Sequence, residues 1–251
     1  MKYSHNNEQD CIEKLIKELK ITNTHYVDVG ASDGIEMSNT LFLAQNGWSG
    51  LCIEYNPIQF NALKINYKIY DKIKISCEKA TPYSIIDIMQ KNNTPNTFAF
   101  LNLDIDGYDY FVLDKLLIEY RPSIICAEIN EKIPPPIKFT VLYRDNYKWN
   151  DYPFFGQSIG QIQTLCSNKN YSIVYVEYNN VFMVNNEIKH KLHLPTTKEA
   201  WLEGYFNKPD RRKKFPYNNN FESIYSMSPE NAIKFINAIY SKHNGEYLIS
   251  I

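Results

Sequence analysis

From Tyr26 to Ile129 the chain repeats one pattern: a short continuous apolar run, a turn, then a segment with helical spacing. The runs are "HYVDV", "GLCIE", "KIKISC", "TFAFLNLD" and "PSIICAEI". Unbroken apolar strands separated by helices need cover on both faces, so they predict a parallel sheet with crossover helices. That is a doubly wound α/β domain. After Ile129 the rhythm changes. "NEKIPPPIKFTVLYRDNYKWNDYPFFGQS" is aromatic, holds four prolines and keeps no period, the character of a functional loop. "IGQIQTLCSNKN" predicts a helix, and "YSIVYVE" and "VFMVNN" predict strands separated only by "YNN". So short a link forces an antiparallel hairpin, which closes a mostly parallel seven-stranded sheet.

Ile12, Leu15, Ile16 and Leu19 mark an amphipathic helix within residues 1–22, ahead of the domain at 23–185. Residues 131–157 form an insertion on the acceptor side of that domain. Residues 186–251 read as a helical extension. One of its helices starts with a capping box from Thr196 to Glu199, and another runs from Ser228 and Pro229 towards Gly245. A hydrophobic content of 44% over 251 residues is ample for a core. A formal net charge of −1 creates no field for a polyanion, so nucleic acid is not an expected partner. No apolar run approaches the length of a membrane span or a signal peptide, so a cytoplasmic protein free of the membrane is expected. Five scattered cysteines without a CxxC pair predict reduced, mostly buried thiols.

In an open parallel sheet the ligand sits beyond the C-terminal strand ends, where "VDVGASDGIEMSNTLFLAQNGWSGLCIEYNP" falls. Gly30 and Gly34 allow a tight turn, Asp28 and Asp33 offer acceptors to an amine or to hydroxyls, and Glu54 suits a ribose diol. Ser32, Asn39 and Asp104 complete the expected cofactor set. The turn is G-A-S-D-G rather than G-x-G-x-x-G, and its extra carboxylate repels a pyrophosphate. A cationic ligand with a ribose and no phosphate fits better, which points to S-adenosylmethionine.

That stretch, with "LNLDIDGYDYFVL", "RPSIICAEIN" and "FFGQSIGQIQTLCSNKNYSIVYVEYNNVFMV", resembles the FkbM-type family of S-adenosylmethionine-dependent methyltransferases over about residues 24 to 185. The resemblance implies a Rossmann-like class I methyltransferase fold and methyl transfer, commonly to a hydroxyl of a sugar or natural product. The family's first motif matches Asp28, Gly30, Asp33 and Gly34, its ribose-binding acid matches Glu54, and its fourth motif matches Asp104, Asp106 and Gly107. Asp106 stands where the family often has glutamate.

Methyl transfer from a sulfonium needs alignment of donor and acceptor and removal of the acceptor's proton. Asp104, Asp106 and Glu128 end neighbouring strands and are the catalytic candidates. Asp104, Glu128 and Asn130 form a candidate Mg²⁺ site; alternatively one carboxylate is the base, or Asp106 and Asp109 only cap the next helix. Tyr143, Trp149, Tyr152, Phe154 and Phe155 are candidates for an acceptor wall or, equally, for loop packing. Arg211 and Arg212, in "RRKK", read as solvated surface or as a clamp for an acceptor phosphate. His190 and His193 read as a solvated loop or, less favoured, as lining of an acceptor pocket. The sequence thus points to an O-methyltransferase for a small-molecule acceptor, a sugar or a phosphorylated or nucleotide-linked precursor in surface-glycan or natural-product biosynthesis. An RNA methyltransferase and an inactive cofactor-binding module are the alternatives. The C-terminal helices are a candidate homodimer contact.

Overall fold

The computed structural model describes residues 2–149, 153–189 and 192–251. Its first part alternates as α1 (Glu8–Glu18), β1 (His25–Val29), α2 (Leu41–Gln45), β2 (Ser49–Ile53), α3 (Pro57–Asn66), β3 (Ile73–Ser76), α4 (Ile85–Lys91), β4 (Thr97–Leu103), α5 (Asp109–Glu119) and β5 (Arg121–Glu128). Then come β6 (Lys138–Val141), α6 (Ile159–Lys169), β7 (Tyr171–Glu177) and β8 (Asn180–Asn185). The extension holds α7 (Thr197–Trp201), α8 (Arg211–Lys214), α9 (Pro229–Ile239) and β9 (Tyr247–Ser250).

The main sheet has the order β3-β2-β1-β4-β5-β8-β7. β1 to β5 pair in parallel, and β8 runs antiparallel to both β5 and β7. The expected seven-stranded, doubly wound sheet with its closing hairpin is therefore present. Each strand sends alternate side chains to opposite faces. Val27, Val29, Leu101, Leu103, Ile125 and Ala127 join one core, while Tyr26, Phe100, Ile124 and Cys126 join the other with Ile12 and Leu15 of α1. Both faces are apolar, as the unbroken runs require.

The chain leaves β1 towards β2 and β3 on one side, and returns through β4 and β5 on the other. The strand order thus reverses between β1 and β4, and the crevice opens at their C-terminal ends.

The extension differs from its purely helical reading. The capping box at Thr196 and Glu199 and the Ser228 cap both form. Beyond α9, however, β9 pairs antiparallel with β6, a strand inside the segment read as a loop. The Tyr240 hydroxyl donates to the Pro153 carbonyl at 2.9 Å, and Trp201, Tyr205, Phe221 and Ile236 enter the same core as β4 and β5. Extension and insertion are packed as one cap on the sheet. Isolated four-residue strands carry little periodicity, and their pairing spans more than a hundred residues, so local pattern misses them.

Candidate functional site

Gly30 ends β1 at φ +90°, and a Cβ built there would lie 1.7 Å from the Asp104 carbonyl oxygen. Only glycine lets the two strand ends pass so closely. Asp28, one turn of the pleat earlier, is buried; Thr40 Oγ1 donates to it at 2.6 Å and Asn102 Nδ2 at 2.9 Å. Burial pushes its carboxyl upward, and those two bonds oppose the shift. Asn39 Nδ2 donates to Asn102 Oδ1 at 3.1 Å, which leaves Asn39 Oδ1 buried with no hydrogen-bond partner. Beyond β2, Glu54 accepts from the Ser32 amide at 2.8 Å and from the Asn56 amide.

These groups line one crevice with two lobes, of about 430 and 540 Å³. Glu54, Tyr55, Lys79 and Tyr108 line the first; Asp28, Asn39, Asn102, Glu128 and Asn180 line the second. Gly30, Ser32, Asp104, Asp106 and Trp149 border both. Asp33 and Gly34 are corrections, because neither lines a lobe. Asp33 Oδ1 accepts the Ile35 and Glu36 amides within its own turn, and Gly34 is packed against Leu63 and Tyr67. The carboxylates that line the crevice beside Gly30 are instead Asp104 and Asp106.

Asp104, Asp106 and Glu128 each bring a carboxylate oxygen within 4.8 Å of the others. Asp106 sits at φ +54°, in a turn held by Asp109, whose two oxygens accept the Ile105 and Gly107 amides at 2.9 Å each. Asp109 therefore performs the turn-holding role, and Asp106 is left on the crevice rim, supported by the Tyr147 hydroxyl on its carbonyl at 3.0 Å. Glu128 Oε1 accepts from Asn179 Nδ2 at 3.2 Å, while its Oε2 is buried without a partner. Burial, and then mutual repulsion, hold the Asp104 and Glu128 carboxyls well above the ordinary range. Burial also raises Asp106. Asn130 is a further correction. Its amide nitrogen donates to the Pro153 and Phe155 carbonyls, so it ties down the insertion, and it lines neither lobe.

The acceptor candidates divide. Trp149 stands half exposed at the junction of the lobes. Tyr143 instead packs edge-on against Tyr108 at 4.8 Å and so ties the insertion to the start of α5, and Phe154 stacks on His243 at 3.9 Å within the cap's own packing. Phe155 is buried beneath the Lys132 ammonium. Tyr152 and His190 lie outside the described residues. His193 lines a separate cavity beside α1. Arg211 is a correction on both of its readings, being buried against Phe206 and forked onto Glu222; Arg212 is exposed, as the solvated reading has it, and grips the same Glu222 at 2.9 Å. Neither lines the crevice.

Sequence reasoning missed Asn179 and Asn180, which the hairpin carries to the end of β5. It also missed Glu8, whose carboxylate accepts from Asn180 Nδ2 at 3.1 Å across the second lobe. The one available signal was the "NN" pair in the hairpin turn.

The acids around the crevice give stability a definite slope with pH. Burial pushes Asp109 up to about 6, and Asp28, Asp104, Asp106 and Glu128 are raised as well. An acid whose folded value exceeds its unfolded value favours folding when protonated, so its contribution falls as pH rises from about 4 through the folded value. The acids held low by partners, such as Glu222 and Glu246, complete their opposite effect below about 4.5. Between pH 5 and 7 the ligand-free protein is expected to lose about 1–2 kcal/mol from Asp109 alone. Urea midpoints measured across that range check the slope, and a rising midpoint would contradict it.

A doubly wound α/β fold with a two-lobed polar crevice at its switch point is thus defined. No family model matches the sequence, and no curated protein matches it. Solved structures of similar fold include the N-terminal domain of EvdMO1 in the presence of S-adenosylhomocysteine and D-fucose. It is 11% identical, with 72% of this chain and 83% of that chain covered and a TM-score of 0.46. A S-adenosylmethionine-dependent methyltransferase from Clostridium acetobutylicum is 10% identical over 74% of this chain and 92% of that one, with a TM-score of 0.46. An O-methyltransferase from Bacillus cereus in complex with S-adenosylhomocysteine is 13% identical over 70% and 79%, with a TM-score of 0.44. These are loose likenesses. No helix among the described residues is long and apolar enough to cross a membrane.

Proposed function

We propose that this chain is a S-adenosylmethionine-dependent O-methyltransferase acting on a small-molecule acceptor. The observation that carries the reading is the order of groups along one crevice: a diol-accepting carboxylate at Glu54, the close Gly30 crossing, then the unpartnered amide oxygen of Asn39. Buried acceptors without partners in a native fold call for a donor, and an ammonium group supplies one. The residues fit the cofactor, which when bound supplies a methyl group on a sulfonium. Glu54 accepts the ribose hydroxyls, the Gly30 backbone gives close approach, and Asn39 holds the amine.

Asp104 and Asp106 lie where the lobes meet, with Glu128 beside them in the second lobe. Asp106, on the rim with its acidity weakened by burial, takes the proton from the acceptor hydroxyl as the in-line displacement proceeds. Glu128 orients that hydroxyl, with Asn179 fixing its other oxygen. The same three carboxylates also fit Mg²⁺, since they offer hard oxygen donors and Glu128 Oε2 has no other partner. Bound there, the ion would orient the acceptor oxygen and lower its pKa. Within this class, the ordered motifs favour an FkbM-type enzyme for a sugar or phosphorylated acceptor, working in the cytoplasm.

Calorimetry tests the cofactor. S-adenosylhomocysteine should bind and NAD should not bind comparably. Glu54→Ala should weaken the former by about 1.5–3 kcal/mol, the worth of hydrogen bonds to a charged group. Tight NAD binding without any response to S-adenosylhomocysteine would remove the reading.

A further inference from the structure

Beside the crevice, and sharing Tyr147 and Lys148 with its first lobe, lies a separate cavity of about 540 Å³ between the insertion and the C-terminal turn. Its lining includes Arg144, Lys148, Lys242 and His243 against a single described acid, Glu246. Arg144 presents a buried Nε with no hydrogen-bond partner, while one of its terminal nitrogens is paired with Glu246. Glu246 also accepts from His243 Nδ1 at 2.8 Å, and Phe154 stacks on that imidazole at 3.9 Å, so the cationic wall is braced. Tyr147 lines this cavity as well as the first lobe, and its hydroxyl bonds the Asp106 carbonyl at 3.0 Å. An anion held here would sit one aromatic ring away from the proposed point of methyl transfer.

We infer that the Arg144, Lys148 and Lys242 cavity is an anion subsite for the phosphate or pyrophosphate group of the acceptor. The inference rests on the methyltransferase reading only for the word acceptor. A planar guanidinium with two flanking ammonium groups is the donor set that phosphate oxygens recognise. The phosphate clamp sought in the sequence at Arg211 and Arg212 thus falls to a different set of cations, brought together by the pairing of β6 with β9.

The test is direct binding of inorganic pyrophosphate and of inorganic phosphate to the full chain, by calorimetry at low salt, with S-adenosylhomocysteine titrated separately. Pyrophosphate should bind, and more tightly than phosphate if the site takes a diphosphate-linked acceptor; the reverse order would assign it to a monophosphate. Lys242→Gln, at an exposed position, should weaken binding roughly tenfold. Glu246→Gln removes the competing carboxylate from Arg144 and should strengthen binding, a change of opposite sign that loss of structure would not produce. No pyrophosphate or phosphate binding by a protein that does bind S-adenosylhomocysteine would overturn the subsite and leave the enzyme reading intact. Anion binding without S-adenosylhomocysteine binding would do the reverse. Equal binding by the wild type and both variants would also overturn it.

Discussion

Asparagine at Asp106 is expected to lower the rate of methyl transfer by about 10²–10⁴ while S-adenosylhomocysteine affinity stays within a few-fold, the usual span for loss of a general base. The substitution keeps the side chain's size, and Asp109 rather than Asp106 holds the turn, so the fold should be retained. Glutamine at Glu128 keeps the contact with Asn179 in form but removes the charge, and relieves a buried acid of its neighbours' repulsion. That variant should be as stable as the wild type, and slower. Divalent cation separates the two routes open to this cluster. If the carboxylates act on the proton alone, a chelator leaves the rate unchanged. If they hold Mg²⁺, chelation abolishes turnover, added Mg²⁺ restores it, and Asp104→Asn and Glu128→Gln both blunt the response. Full activity of the Asp106 and Glu128 variants in the presence of chelator would leave the cluster without a chemical role.

Legibility in the sequence follows the range of the physics involved. The five parallel strands could be read because each is a local apolar run, and the hairpin could be read because three residues cannot form a crossover. Gly30, Asp28 and Glu54 could be placed because strand ends in a doubly wound sheet converge. What failed depends on side-chain direction or distant pairing. Asp33 directly follows Glu54's partner Ser32, yet its carboxylate turns back onto Ile35 and Glu36. Asn130 follows Glu128 by two residues and so should share its face, but the strand ends at Glu128 and Asn130 swings out to the insertion. Asp106 replaced it in the cluster through a left-handed residue that no apolar period encodes. The "RRKK" run was judged by charge alone, whereas Arg211 has an aromatic surround of Tyr205, Phe206 and Tyr225. A cation run beside closely spaced aromatics and one glutamate is better read as a buried fork.

Alanine at Gly30 should cost far more than alanine at Gly47, although both positions have positive φ, +90° and +76°. At Gly47 a Cβ meets nothing within 4 Å, so only the left-handed backbone is penalised, by about 1–2 kcal/mol. At Gly30 the same penalty applies, and the Cβ also overlaps the Asp104 carbonyl oxygen at 1.7 Å. Backbone cannot rotate away as a side chain can, so the ends of β1 and β4 must separate, and the bond from the Asp104 amide to the Val29 carbonyl at 3.0 Å is strained or lost. Overpacking of that kind adds about 1–3 kcal/mol, for a total near 2–5 kcal/mol, a large share of the ~5–15 kcal/mol that holds a domain together. Separation of the strand ends also moves Asp104 relative to Glu128 and widens the floor shared by both lobes. Affinity for S-adenosylhomocysteine should therefore fall below detection in Gly30→Ala and persist in Gly47→Ala. Urea unfolding and calorimetry on the two variants measure both effects, and equal stabilities would mean that the crossing is looser than the 1.7 Å overlap requires.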